Sequence, residues 1–231
     1  MIVLIGGLVH GTAGFGFGLF TMGAMTMLMP IADAVSIVSV INLGSTLLNL
    51  WTLRGHIDWQ ESQPILLTAL PATVLGVYLL RNLNTDILRA GVAFMILMGC
   101  AVTLWSPQQA RIHKANPWAY LAGLVGGVFG GALNTGGPPV VLYTLLRGWE
   151  KSKTKSVMSV YFMGTGILRV ALLIGSGIAT ADRLQQSILV LPPALGAAFV
   201  GTRIFRQMST PVFRYAVMAL LAALAVRLIL T

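Results

Sequence analysis

The chain has 231 residues, of which 56% are hydrophobic and only 9% are charged, whereas soluble domains carry roughly 25% charged residues. This composition excludes a soluble globular domain and predicts an all-α integral membrane protein. The net charge of +9 fits the cytoplasmic Lys/Arg excess of membrane proteins. No basic run with polar or aromatic readers points to nucleic acid, and the single cysteine, Cys100, permits no intrachain disulfide.

Eight hydrophobic segments follow one another along the chain, separated by charged residues. Six of them have the length of about 20 residues that a membrane-spanning helix needs, and two are longer. In chain order the windows are 1–32, 34–53, 62–80, 90–110, 115–146, 156–181, 184–202 and 212–230. The first window lacks the basic stretch and the cleavage site of a secretory signal peptide, so we expect it to be retained.

The two long windows, 1–32 and 115–146, are predicted to be broken. As straight helices they would measure about 48 Å, whereas the hydrocarbon core is about 30 Å thick. Their middles hold "GTAGFGFG" and "GGALNTGGPP", and glycines and paired prolines are the residues that interrupt helices. We therefore expect each long segment to be broken or re-entrant near the bilayer midplane.

The chain repeats itself. An offset of 120 residues aligns Gly11 with Gly131 and Gly16 with Gly136, and it also aligns "SVINLG" with "SVYFMG". An offset of 125 aligns "GVYLLRNLNTDILR" with "GTRIFRQMSTPVFR". These blocks predict one integral membrane domain built from two homologous four-segment halves. The N-terminal repeat is residues 1–110 and the C-terminal repeat is residues 115–231.

Two orientations of the halves are open. If the broken segments cross the membrane, the halves are parallel, and one side of the membrane holds nine Lys and Arg residues against five on the other. If the broken segments are re-entrant, the halves are inverted, and the numbers are ten against four. The second is slightly favoured, because the basic loop "ARIHKAN" then joins the cytoplasmic face. Both arrangements place both termini outside the cytoplasm of a multi-pass protein of the inner or plasma membrane.

The second break has the features of an anion site. Its proline pair suits the first turn of a new helix, so its glycine pair would lie immediately before a helix N-terminus. Free N–H groups and the positive end of the helix dipole attract anions there, and the preceding Asn-Thr pair adds side-chain donors. The candidate substrate-binding residues at this break are Asn134, Thr135, Gly136, Gly137 and Pro138.

The first break offers Gly14, Gly16 and Gly18 at the equivalent place, without prolines. Glycine-interrupted segments at matching positions of two halves are typical of transporter binding sites. Close packing of neighbouring helices is the alternative explanation for these glycines. A dinucleotide-binding loop is excluded, because "GFGFG" has the wrong spacing, no strand before it and no acidic residue about 20 positions on.

Arg169 stands alone inside a hydrophobic window. A charge at a helix centre costs at least about 2.5 kcal/mol, so we consider it a candidate substrate ligand, with snorkelling to the interface as the alternative. Its partner in the repeat is Asn49, and Asn42 lies seven residues earlier on the same helix face. Asn42 and Ser45 are expected to face Arg169 in a shared polar cavity, with plain interhelical hydrogen bonding as the alternative.

His10, one residue before the first break, is a candidate for proton coupling, although a packing role is the commoner one for such a histidine. The sequence holds no pair of histidines or carboxylates at metal-ligand spacing and no nucleophile–base pair. We therefore expect no metal, no cofactor and no enzymatic activity.

The pairing of "GxxGFGFG" near the N-terminus with "GxxxTGGPP" in mid-chain, each opening a four-segment half, resembles the sulfite exporter TauE/SafE family. The resemblance covers the whole chain. It implies an all-helical carrier of sulfur-containing or organic anions such as sulfite, sulfoacetate and sulfonates. The first break departs from the pattern at Phe17 and Leu19, and this leaves open how closely the first half approaches the substrate.

Together these features predict export of a small sulfur-containing or organic anion by alternating access, driven by the membrane potential. An anion channel and a proton-coupled uptake permease for an organic anion are the alternatives. The expected partners are the anionic substrate and the lipid bilayer, with a homodimer as one option for assembly and no nucleic acid.

Overall fold

In the computed structural model, the described residues are 16–52, 58–105, 112, 116–207, 218, 219 and 221–228. Apolar helices occupy almost all of these residues, as the composition predicts, and no strand occurs among them. Four of the helices are long and apolar enough to cross a membrane by length and composition. The all-α membrane class is therefore confirmed for this part of the chain.

Within the described residues, eight helices with defined bounds follow one another, and residues 218, 219 and 221–228 are also helical. Their bounds are α1 (Gly16–Met25), α2 (Ile31–Thr52), α3 (Trp59–Asn82), α4 (Thr85–Trp105), α5 (Asn116–Leu133), α6 (Gly137–Leu146), α7 (Lys151–Gly175) and α8 (Ala181–Gln207). The four candidate spans lie in α2, α3, α4 and α7.

The predicted break in window 115–146 is confirmed. Helix α5 ends at Leu133 and α6 begins at Gly137, one residue earlier than the sequence predicted, with prolines in its first turn. In window 1–32, α1 begins at Gly16, within the predicted interruption, and residues 1–15 lie outside the described part.

Helices α5 and α6 form a hairpin whose two ends meet. The backbone N–H of Ile112, ahead of α5, donates to the carbonyl oxygen of Leu146 at the end of α6, at 3.1 Å. Near the tip, Gly136 and Val140 fold back against Gly126. The segment therefore enters and leaves at the same end of the bundle, which is the re-entrant arrangement. The matching segment of the first half lies largely outside the described residues, so the two-half layout stays a prediction.

Ion pairs join the helices at the end of the bundle where the hairpin opens, which we call the Glu61 end. Arg147 donates to Glu61 at 2.8 Å, and Lys153 lies 2.9 Å from Asp58 and 3.6 Å from Glu61. The hydrogen bond from Lys153 is the main cause that lowers the pKa of Asp58 below its usual value. The Lys153 ammonium also lies 4.8 Å from the centre of the Trp149 ring.

A second ion pair lies at the opposite end, which we call the Asp33 end. Arg183, at the start of α8, donates to Asp33, at the start of α2, at 2.8 Å. Helix α7 separates the two ends, because it begins beside the Glu61 pairs and its 25 residues, about 37 Å of helix, end shortly before Arg183. The hairpin tip therefore lies in the interior, between the ion pairs at the Glu61 end and the ion pair at the Asp33 end.

Candidate functional site

The tip of the hairpin is a tight turn of three residues between α5 and α6. Asn134 has a φ of 54°, a left-handed conformation that asparagine tolerates better than most residues. Its N–H donates to the carbonyl of Gly130, and the N–H of Thr135 donates to that of Phe129 at 3.4 Å. This turn reverses the direction of the chain, so that the end of α5 and the start of α6 lie together at the tip.

The first turn of α6 leaves two backbone donors free. Gly136 is the N-cap, and no side chain caps the helix. Pro138 and Pro139 have no N–H, so the N-terminal donors are those of Gly136 and Gly137. Neither N–H has a hydrogen-bond partner among the described residues. These are the backbone donors that the sequence predicted at this break.

Arg169 lies in the interior beside the tip, at 2% exposure. Its Nε donates to the hydroxyl of Ser39 on α2 at 2.9 Å, and its Nη1 donates to the carbonyl of Gly130 on α5 at 2.8 Å. The snorkelling alternative is therefore wrong, because the guanidinium is held inside the bundle. Within the described residues, no carboxylate lies within 4.0 Å of it.

The charges at the tip leave a net positive field. The C-terminus of α5 carries a partial negative charge of about one half, and the N-terminus of α6 carries a partial positive charge of about one half. Arg169 donates to the α5 carbonyl at Gly130 and so offsets the negative end. The positive end of α6 and the remainder of the guanidinium charge then have no counter-charge among the described residues.

Two buried side-chain groups at the tip also have no partner. Asn134 and Thr135 are 3% and 2% exposed, yet the Asn134 Nδ2 and the Thr135 Oγ1 make no hydrogen bond. A buried polar group without a partner costs about 1–3 kcal/mol. Asn42 donates its Nδ2 to the Asn134 Oδ1 at 3.3 Å, so the Asn134 oxygen is engaged and its amide donor is left over. The free groups at the tip are therefore mainly donors, which suit an anion.

The first half reaches the tip through α1. A Cβ added at Gly18 would lie 2.6 Å from the carbonyl oxygen of Asn134, so only glycine allows this approach. Gly16 is the first residue of α1. Gly14 and His10 lie outside the described residues, and of Asn49 the structure describes the helical backbone on α2 alone.

Sequence reasoning missed three residues at the tip. The α2 residue that bonds Arg169 is Ser39, and not Asn42 or Ser45 as the sequence suggested. Ser39 lies three residues before Asn42 on the same helix face, and this spacing could have indicated it. The Tyr161 hydroxyl donates to the carbonyl of Gly136 at 3.2 Å, and Gly130 accepts from Arg169. No sequence pattern marked Tyr161 or Gly130, because their roles depend on the hairpin.

The described residues hold no group of three or more His, Cys, Asp or Glu side chains that could bind a metal ion.

Fold and site together define a multi-pass membrane protein with a buried, positively charged, donor-rich interruption in one of its helices. Such interruptions are where membrane transporters bind small charged substrates.

Comparison with known proteins gives the family. The model of the sulfite exporter TauE/SafE family matches residues 1–228, so the chain belongs to this family and is a membrane transporter. It is 28% identical over 200 residues to the "Probable sulfite/organosulfonate exporter TauE" of Cupriavidus necator, an alignment that covers 82% of this chain and 76% of that protein. No solved structure matches the chain. The resemblance carried by the two glycine motifs is thereby confirmed.

Proposed function

We propose that the protein exports small sulfur-containing anions, such as sulfite, sulfoacetate and related sulfonates, and binds them at the hairpin tip. The observation that carries this proposal is the buried guanidinium of Arg169, which has no carboxylate partner within 4.0 Å in the described part of the chain. Membership of the sulfite exporter family and the similarity to the Cupriavidus necator protein support sulfur-containing anions as the substrate class.

Each predicted site residue has a proposed task. Arg169 supplies the charge, and the N–H groups of Gly136 and Gly137 with the Asn134 and Thr135 side chains supply directed hydrogen bonds. The remaining residues shape the turn and its surroundings; they are Pro138, Gly14, Gly16, Gly18, Asn42 and Asn49. His10 is kept as the candidate for proton coupling.

The membrane potential is proposed as the driving force. An anion that leaves a cell with a negative interior gains about 2.3 kcal/mol per charge per 100 mV, so outward movement needs no coupling ion. The Glu61 end is proposed to face the cytoplasm of a cell-membrane protein, with both termini on the other side, because more basic residues lie there by chain position. Among the described residues, with the buried Arg169 left out, those at the Glu61 end are Arg147, Lys151, Lys153, Lys155, Arg203 and Arg206, against Arg81, Arg89, Arg183 and Arg227 at the other end.

Alternating access is proposed as the transport mechanism. Every residue from Gly130 to Val141 is buried, and ion pairs join helices at the Glu61 and Asp33 ends. An anion at the tip would therefore be shielded from both sides. Opening one end at a time would release it on one side only.

The proposal is tested by efflux of sulfite and sulfoacetate from proteoliposomes under an imposed potassium-diffusion potential. We expect saturable efflux that a negative interior accelerates. Arg169→Gln should raise the substrate KM about 10- to 100-fold, since a hydrogen bond to a charged group contributes about 1.5–3 kcal/mol. The matched control is Arg81→Gln, which removes an exposed charge at a helix end and should leave KM unchanged.

Three results would contradict parts of this proposal. An efflux rate that does not change with the membrane potential would disprove the potential as the driving force. A wild-type KM in Arg169→Gln would disprove the anion site at the hairpin tip. Flux that does not saturate and shows no counter-transport would identify a channel. Uptake driven by a proton gradient and lost in His10→Gln would identify a proton-coupled permease.

A further inference from the structure

Five of the seven buried threonines in the described part of the chain satisfy their hydroxyl groups by a hydrogen bond to a nearby backbone carbonyl. A threonine in a helix can donate to the carbonyl three or four residues earlier, and this removes the cost of burying the hydroxyl. The buried threonines of the described residues that do so at 2.7–2.8 Å are Thr26, Thr46, Thr73, Thr144 and Thr165.

Thr21 and Thr135 are the two buried threonines of the described residues whose hydroxyl has no partner. Thr135 lies at the hairpin tip. Thr21 lies in the middle of α1, at 0% exposure, where the carbonyl of Phe17 was available four residues earlier. Its side chain is thus turned away from the bond that other buried helical threonines make.

The two unpaired hydroxyls belong to elements that touch each other. Gly18, one turn before Thr21, lies against the backbone of Asn134, and a Cβ added at Gly18 would lie 3.9 Å from the unpaired Asn134 Nδ2. Residues three apart share a helix face, and helical side chains lean toward the N-terminus over the preceding turn. We therefore expect the Thr21 side chain to lean over Gly18, which has no side chain, toward the face that meets Asn134.

We propose that Thr21 is a substrate-binding residue supplied by the first half, whose hydroxyl donates to an oxygen of the bound sulfonate or sulfite. With the Asn134 amide and the Thr135 hydroxyl, which are also buried and unpaired, it would give the anion three neutral donors in addition to the charge of Arg169. This assignment rests on the proposed function, since it needs an anion at the tip. It also gives the first half a side-chain contact that its glycines cannot provide.

The test is Thr21→Val, which keeps the shape of the side chain and removes the hydroxyl. The KM for sulfoacetate efflux is expected to rise about tenfold, with an unchanged maximal rate, because a hydrogen bond to the charged sulfonate is lost. The melting temperature of the protein without substrate should be unchanged or higher, because no internal hydrogen bond is lost. Thr21→Ser restores a hydroxyl and should recover most of the affinity.

The matched control is Thr26→Val, a few residues further on. Its hydroxyl donates to the carbonyl of Met22, so this variant should lower the melting temperature and leave the KM near the wild-type value. The stabilisation of each variant by added methanesulfonate, measured as a shift in melting temperature, gives a second readout that does not depend on transport.

An unchanged KM and an unchanged methanesulfonate shift in Thr21→Val would overturn the assignment. So would a melting temperature that falls as far as in Thr26→Val, since this would show a structural hydrogen bond. If these negative results come with a large loss in Arg169→Gln, the Thr21 assignment alone fails. If Arg169→Gln also behaves as wild type, the anion site at the tip fails with it.

Discussion

Gly136 shows how little room a single residue has at the hairpin tip. A Cβ added there would overlap the carbonyl oxygen of Gly126 and would lie 2.5 Å from the hydroxyl of Tyr161. The Tyr161 hydroxyl also donates to the Gly136 carbonyl, so Tyr161 cannot move away without losing that hydrogen bond. Gly136 therefore combines close packing with an unpaired backbone donor, the two features that the sequence offered as alternative explanations for such glycines.

Gly136→Ala is expected to destabilise the protein by about 1–3 kcal/mol, the usual cost of overpacking, and to weaken anion binding by displacing the free N–H groups. Thermal unfolding with and without methanesulfonate measures both effects. Gly196→Ala in α8 is the matched control, because nothing lies within 4 Å of an added Cβ there. Equal melting temperatures and equal anion shifts for the two variants would show that the tip is not packed as described.

At the scale of single residues, the sequence predicted which groups at the tip are donors, but it did not predict which side chains contact them. The Asn-Thr-Gly-Gly-Pro-Pro run identified the donors and the helix start, because glycine and proline have strong backbone preferences of their own. It did not identify Ser39 or Tyr161 as neighbours. Serine and tyrosine are common in membrane helices, and their partners depend on how distant helices come together.

Helices α3 and α5 illustrate how two elements position the tip. Three glycines of α5, spaced four apart, lie against α3 so closely that an added Cβ would overlap its backbone carbonyl groups. The contacts run in the same direction along both helices, pairing Gly123 with Ile65, Gly127 with Ala69 and Gly131 with Thr73. Small residues at this spacing let membrane helices approach through their backbones. The contacts with α3 thus fix the position of the end of α5, and with it the hairpin tip, along the bundle.

Gly127→Val should force α5 away from α3 and destabilise the protein by about 3 kcal/mol, at the upper end of overpacking costs, because the obstacle is backbone. The measurement is the melting temperature and the monodisperse yield after detergent extraction. Leu124→Val changes an exposed side chain of the same helix and should have little effect. A Gly127→Val protein as stable as Leu124→Val would mean that the two helices are not in backbone contact.

The helices themselves were largely predictable, but the path of the chain was not. Charge-free windows gave the approximate bounds of the long helices and the break in window 115–146, because both follow from local composition. Whether the broken segment crosses or returns depended on Lys/Arg tallies too similar to decide. In the second half, the hydrogen bond between Ile112 and Leu146 brings the two ends of the broken segment together, as the re-entrant alternative requires, and that contact joins residues 34 positions apart.

On the scale of the whole molecule, ion pairs join helices at both the Glu61 end and the Asp33 end. At the Glu61 end, acid should destabilise the structure, because the pKa of Asp58 is lower in the folded protein than in the unfolded chain. The stabilisation by the Asp58–Lys153 pair is therefore present above about pH 4. It is lost as the pH falls through the folded-state pKa of Asp58. The Asp33–Arg183 pair ties α2 to α8 at the other end. If transport alternates between the two sides, these clusters must open in turn.

A cysteine at the tip would report which end is open. Cys100 is the single cysteine of the chain and is buried, so Cys100→Ala with Thr135→Cys gives one thiol at the tip. We expect a membrane-impermeant thiol reagent to label it slowly from both sides, because residue 135 is 2% exposed. Adding Glu61→Gln should accelerate labelling from one face of sealed vesicles, and adding Asp33→Asn should accelerate it from the opposite face. Acceleration from the same face by both variants, or by neither, would show that the ion pairs at the two ends do not control access to the tip.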